Sequence, residues 1–165
     1  MKKQKKTVSK DYIYRCGKAA RKGHVIAQNT LGILYIHGNG VKKNADLAVK
    51  WFKMAANMGY ATAQYNLAVM YQLGQGVKKN AAESARWMLE SARQGHAEAQ
   101  AQMGSAYHHG RGVNQDKEKA YEWWLIANKN GSTSVQHYLA RLSEQLSYEQ
   151  IREIEDSIKQ IHYQH

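Results

Sequence analysis

The sequence predicts an all-α fold built as a solenoid of helix pairs, and three observations carry that expectation. The first is a repeat of 36 residues: Gly23, Gly59, Gly95 and Gly131 recur at that spacing, and so do Gln28, Gln64, Gln100 and Gln136. Leu31, Leu67, Met103 and Leu139 keep the same register, as do Tyr35, Tyr71 and Tyr107, then Val41, Val77 and Val113, then Trp51, Trp87 and Trp123. The second observation is that the apolar residues inside each repeat fall three and four positions apart, the spacing of one helical face. The third is that residues suited to starting and ending helices recur at the same period. A unit of two amphipathic helices exposes an apolar face when alone, and stacking such units buries it in one continuous core.

The elements follow in order. Residues 1–8, with Lys2, Lys3, Lys5 and Lys6, read as a disordered basic arm. Residues 9–23 read as a half repeat, because Tyr12, Cys16, Ala19 and Ala20 align with Ala48, Phe52, Ala55 and Ala56 one period later, with Arg15 in the tryptophan position. Cys16 shares its register with Phe52, Met88 and Trp124, which marks it as a small buried hydrophobe and not a nucleophile. Full repeats span 24–59, 60–95 and 96–131. In the first, a helix from about His24 to His37 is expected to bury Ala27, Leu31 and Tyr35. A second, from about Asn44 to Met58, carries Ala48, Trp51, Phe52, Ala55 and Ala56 on one stripe. Asn44, Asn80 and Asp116 stand where an N-cap acceptor belongs, and Gly59, Gly95 and Gly131 where a left-handed residue ends a helix. Gly38-Asn39-Gly40-Val41 and its counterparts at 74–77 and 110–113 supply a tight turn and an apolar anchor. The small residues Gly32, Ala68, Gly104 and Ala140 leave room for a neighbouring backbone or an indole ring, which would account for the periodic tryptophans as buried structural residues. A partial repeat, 132–143, loses the turn. A capping helix, 144–165, follows, with Ser147 and Gln150 placed as a capping box and Ile151, Ile154, Ile158 and Ile161 on one face.

Composition excludes several classes of function. No apolar run in the 165 residues approaches the roughly 20 needed to span a bilayer, and the lysine-rich start is not followed by the apolar stretch of a signal peptide. The single cysteine agrees with a reducing, cytoplasmic setting. The net charge of +11 is uneven: residues 1–22 hold nine Lys or Arg and one acid, whereas the rest hold fifteen and twelve. The body is therefore close to neutral and lacks the basic, aromatic-lined groove of a single-strand binder. That argues against nucleic acid as the main partner and leaves binding of nucleic acid or an acidic surface through the basic arm as the alternative reading. The Gly-x-Gly pairs follow no strand and lack a third glycine, so they are not dinucleotide loops. No nucleophile elbow and no His-Glu-x-x-His occurs, and the acids are scattered without a partnered base. Of the histidines, His108 and His109 point about 100° apart on a helix and do not suit one ion. No catalytic residue, metal or cofactor is expected.

The repeated string Ala-Gln-x-x-Leu-Gly-x-x-Tyr-x-x-Gly-x-Gly-Val, followed by Ala-x-x-Trp-Phe-x-x-Ala-Ala-x-x-Gly, resembles the Sel1-like repeat family, relatives of tetratricopeptide repeats. The likeness covers about residues 24–143. It implies a right-handed α/α superhelical solenoid of antiparallel helix pairs with terminal capping helices, acting as an adaptor or scaffold whose first helices line a concave face. Some secreted bacterial members carry a disulfide in each unit, and this chain lacks those cysteine pairs. By resemblance to tetratricopeptide units, the inner-wall positions are Ile26, Asn29, Ile33, Ile36 and His37 in the first unit and Thr62, Tyr65, Val69, Gln72 and Leu73 in the second. The third contributes Glu98, Ala101, Ser105, His108 and His109, and the fourth Ser134, His137 and Arg141. The wall is expected to grade from apolar to polar. The implied function is that of a cytoplasmic bacterial adaptor holding a protein or peptide in the groove, with an immunity or antitoxin-like neutralising role as one specific version. Oligomeric state is not encoded in any of these features.

Overall fold

In the computed structural model, residues 8–162 are described; among them lie nine α-helices, one 3-10 turn and no strand. The chain divides into two compact units, Met1–Asn80 and Ala81–His165. The first holds α1 (Lys10–Arg21), α2 (Val25–His37), α3 (Ala45–Asn57) and α4 (Ala61–Leu73), each packed on the next. The second holds α5 (Ala81–Arg93), α6 (Ala97–His109), α7 (Lys117–Lys129), a 3-10 turn (Thr133–Val135), α8 (Gln136–Ser143) and α9 (Tyr148–His162). There α5 packs on α6, α6 on α7, and α7 on both α8 and α9.

The periodic residues act as punctuation. The Asn44 and Asp116 carboxyl or amide oxygens accept from the backbone N–H of Leu47 and Lys119, each at 2.9 Å, and so cap α3 and α7. The N–H groups of Asn44, Asn80 and Asp116 donate to the carbonyls of Tyr35, Tyr71 and Tyr107, each at 3.0 Å, closing the three turns in the same way. The glutamines have a role that their spacing alone does not reveal. Nε2 of Gln28, Gln64 and Gln100 donates to the carbonyl of Ala20, Ala56 and Ala92 at 3.1, 3.3 and 3.0 Å. Each carbonyl already accepts from a glycine N–H, so the buried amide takes its second lone pair and ties the start of one helix to the end of the one before. At the C-terminal end, Ser147 and Gln150 form the reciprocal capping box, with bonds of 2.8 and 3.2 Å.

The core differs from expectation in one respect. Gly32 and Gly104 on the first helices do not accommodate Trp51 and Trp123. A Cβ added at Gly32 would fall inside the ring of Phe52, and one at Gly104 inside the indole of Trp124, so the ring one residue later fills the gap. Phe52 and Trp124 are buried, whereas Trp51, Trp87 and Trp123 are half-buried. Consecutive helical residues point about 100° apart, and only one of each adjacent pair can aim between two helices. On α2, Leu31 and Leu34 are enclosed while Ala27 and Tyr35 are half-buried.

Both ends of the described segment are packed. Residues 1–7 of the expected basic arm lie outside the described residues, but its last residue, Val8, is docked: its N–H donates to Asn39 Oδ1 at 3.2 Å and its side chain packs on the Cys16, Ala20, Leu31 and Leu34 cluster. The Ser9 hydroxyl caps α1 by accepting from the Tyr12 N–H. In the second unit Ile151 and Ile154 of α9 pack against Tyr121, Trp124 and Leu142, and Ile158 is fully buried. Cys16 is enclosed, its Sγ donating to the Ala27 carbonyl at 3.4 Å, and burial pushes the thiol above its ordinary pKa. A thiol reagent at neutral pH is therefore expected to label native Cys16 at least about ten-fold more slowly than the unfolded chain. Equal rates would mean that α1 is not docked.

Candidate functional site

The expected inner-wall residues are placed by α2 and α4 in the first unit. These helices adjoin, since Asn66 Nδ2 of α4 donates to Asn29 Oδ1 of α2 at 2.8 Å. Asn29 is thereby interior, at 5% exposure, and its side chain is spent on the contact between helices. Around that bond, Ile33 and Leu73 are 39% and 57% exposed, while Ile36, Thr62, Tyr65 and Val69 are half-buried. His37 and Gln72 are exposed. Ile26, at 65% exposure, stands toward α1, on the wall of a separate hollow. The α2–α4 face thus combines apolar side chains open to solvent with the amphipathic ring of Tyr65, the composition of a surface that gains by being covered.

In the second unit, α6, the 3-10 turn and α8 carry the remaining positions. Glu98, His109, Ser134, His137 and Arg141 are exposed and Ser105 is half-buried. Ala101 is interior, and its carbonyl accepts from Trp124 Nε1 at 3.1 Å. A ladder of rings runs between the helices: His108 lies 5.4 Å from Trp124, Trp124 stacks on Tyr138 at 4.9 Å, and Tyr138 meets the edge of His137 at 5.5 Å. Local desolvation, followed by the charges of Arg111 and His108, holds His109 below the ordinary imidazole value. His108 Nδ1 is enclosed and without a hydrogen-bond partner among the described residues. Those residues contain no three His, Cys, Asp or Glu side chains arranged to hold a metal ion, and no helix long and apolar enough to cross a membrane.

The Sel1 repeat matches residues 25–60, 61–96 and 97–132 in three tandem copies, most of the chain. The chain belongs to the Sel1 repeat family. No curated protein matches the sequence. Among solved structures, a Sel1 repeat protein from Oxalobacter formigenes is 34% identical, with a TM-score of 0.73 over 79% of this chain and 98% of that one. A protective antigen of uropathogenic Escherichia coli with an SLR fold is 42% identical, with a TM-score of 0.70 over 74% of this chain and 26% of the antigen. Helicobacter pylori cysteine rich protein B shares the fold at 18% identity and a TM-score of 0.63, over 79% of this chain and 93% of that one. The fold is accordingly the α/α solenoid of antiparallel helix pairs seen in these Sel1 structures. Sel1 repeat proteins generally mediate protein–protein interaction.

Two features of the surface lie outside the reading of the sequence. One is the role of Trp124, which joins the core to the histidine and tyrosine rings. The other is the hollow between α1 and α2, whose only signal in the sequence is the departure of Tyr12, Arg15 and Cys16 from the residues one period later.

Proposed function

We propose that the chain is a non-enzymatic adaptor that holds a protein or peptide partner against the α2–α4 face, working in the bacterial cytoplasm. The observation that carries this reading is the exposure of Ile33 and Leu73 together with half-buried Tyr65 and Val69 on two adjoining helices. Apolar side chains held open on a rigid scaffold add nothing to folding and gain free energy on covering. Tyr65 is the aromatic of this face, and binding energy concentrates in such anchors while polar neighbours mainly exclude water. Neutralisation of a toxic effector by occlusion is the specific version that suits a small repeat protein, and the absence of paired cysteines supports a reducing compartment.

A pull-down from the native host identifies the partner, and calorimetry on variants tests the surface. Tyr65→Ala is expected to cost about 2 kcal/mol or more of affinity, against less than about 1 for Glu98→Ala or Ser134→Ala. Equal losses at all three positions, or none at Tyr65, would place the interface elsewhere.

A further inference from the structure

Among the described residues, α1 leaves one face open. In the first unit α3 lies between α2 and α4, and its Ala48 and Ala55 are both 0% exposed. One period earlier, on α1, stand Tyr12 and Ala19. Tyr12 is 50% exposed and Ala19 is half-buried, because α1 packs chiefly on α2. A hollow of about 500 Å³ occupies this face, walled by Tyr12, Arg15, Cys16 and Ala19 from α1 and by Ile26 and Thr30 from α2.

Two register relations say what shape of occupant the hollow fits. Asn66 of α4 bridges to the preceding first helix through Asn29, and the residue 36 positions before Asn66 is Thr30, on the wall of the hollow. Phe52 of α3 fills the space above Gly32 of α2, and the residue 36 positions before Phe52 is Cys16, on the opposite wall. The hollow therefore stands to α1 and α2 as the seat of α2 stands to α3 and α4. Where Phe52 projects a ring, Cys16 leaves room for one.

Charge narrows the occupant further. Among the described wall residues Arg15 is the one that carries a permanent charge, and Lys18 and Lys22, both exposed, follow it in the sequence at helical spacing. The acid within residues 1–22 is Asp11, and Arg15 already engages it at 3.0 Å. A second copy of this chain would set one strongly basic terminus against another. Residues 1–7 carry four lysines and would likewise set positive charge against Arg15. We propose that the hollow seats an amphipathic helix of another protein, with a large apolar side chain over Cys16 and Asp or Glu residues facing Arg15, Lys18 and Lys22. This is helix-in-groove recognition at the edge of the repeat, separate from the α2–α4 face.

The test uses the full chain and a fluorescein-labelled synthetic helical peptide of about 15 residues, with leucines at i, i+3, i+4 and i+7 flanked by glutamates, and the same peptide with lysines for glutamates. Anisotropy is expected to show the glutamate peptide binding at least about ten-fold more tightly than the lysine peptide, and more weakly as salt is raised. Ala19→Glu, which fills the hollow with a like charge, and Lys22→Glu, on an exposed side chain that folding does not need, should each weaken it at least about ten-fold. Tyr65→Ala should leave it within about two-fold, which separates this site from the one proposed above. No binding at about 100 μM, equal binding of the two peptides, or indifference to both variants would overturn the proposal. So would displacement of the peptide by duplex DNA with the same loss in Lys22→Glu, or a concentration-dependent dimer abolished by Ala19→Glu, which would make the occupant a nucleic acid or a second copy.

Discussion

Replacing Trp124 with alanine is expected to destabilise the second unit by roughly 3–5 kcal/mol, the range for removing a large buried aromatic. The indole is 3% exposed and lies over Gly104, which has no side chain to close the space left behind. Its Nε1–H donates to the Ala101 carbonyl, and its ring contacts both His108 and Tyr138, so one truncation loosens α6, α7 and α8 together. At roughly 2–4 °C per kcal/mol for a chain of this size, the melting midpoint should fall by about 10 °C. The half-buried periodic tryptophans behave differently. Trp87, with the Arg86 guanidinium 4.2 Å from its ring centre, and Trp123 retain contact with water, and their alanine variants should cost only about 1–2 kcal/mol. Thermal melts of the three variants decide the matter. A Trp87→Ala midpoint as low as that of Trp124→Ala would return the main packing role to the periodic register.

That distinction was hidden in the sequence for a physical reason. Trp51 and Phe52, like Trp123 and Trp124, are adjacent, and both members of each pair fit the apolar stripe of an amphipathic helix. The tryptophan register draws attention because its residue repeats, while the more enclosed register varies in size as Cys16, Phe52, Met88 and Trp124. The helix limits were legible because caps are local chemistry: Asn44, Asp116, Ser147 and Gln150 do what their spacing says. The glutamines were visible only as a period, because the carbonyl each one reaches lies eight residues back across a turn, and a contact of that kind is set by how two helices meet. For the candidate face, helical register brought Ile33, Tyr65, Val69 and Leu73 near to solvent on adjoining helices. The same register took Asn29 and Ala101 inside, since position on one helix does not say how closely the next will approach. The hollow beside α1 depends on how α1 and α2 meet, and no motif records that.

Gly112→Ala should be far more damaging than the same change at Gly95, and Gly76→Ala should match it. In the turn between α6 and α7, Gly112 lies at φ +76, and a Cβ there would collide with the carbonyl of Ala81 at the start of α5. Gly76 repeats the arrangement one period earlier, at φ +65 against the Ala45 carbonyl at the start of α3. In each case the turn of one repeat rests directly on the backbone of the preceding second helix, and backbone, unlike a side chain, has no other rotamer to adopt. The left-handed conformation alone costs an alanine roughly 1–2 kcal/mol, and forcing the two segments apart adds about 1–3 more. Gly95→Ala isolates the first contribution, because Gly95 sits at φ +85 with nothing within 4 Å of the added carbon. Reduced freedom of the unfolded chain returns about 0.4–1 kcal/mol at either site, so Gly95→Ala should cost about 1 kcal/mol and Gly112→Ala about 2–4. Denaturant unfolding of the two variants measures the difference directly. If Gly112→Ala loses no more than Gly95→Ala, the turns do not bear on the neighbouring helix starts, and the regular spacing of successive repeats must come from the tethering glutamines and the packed rings alone.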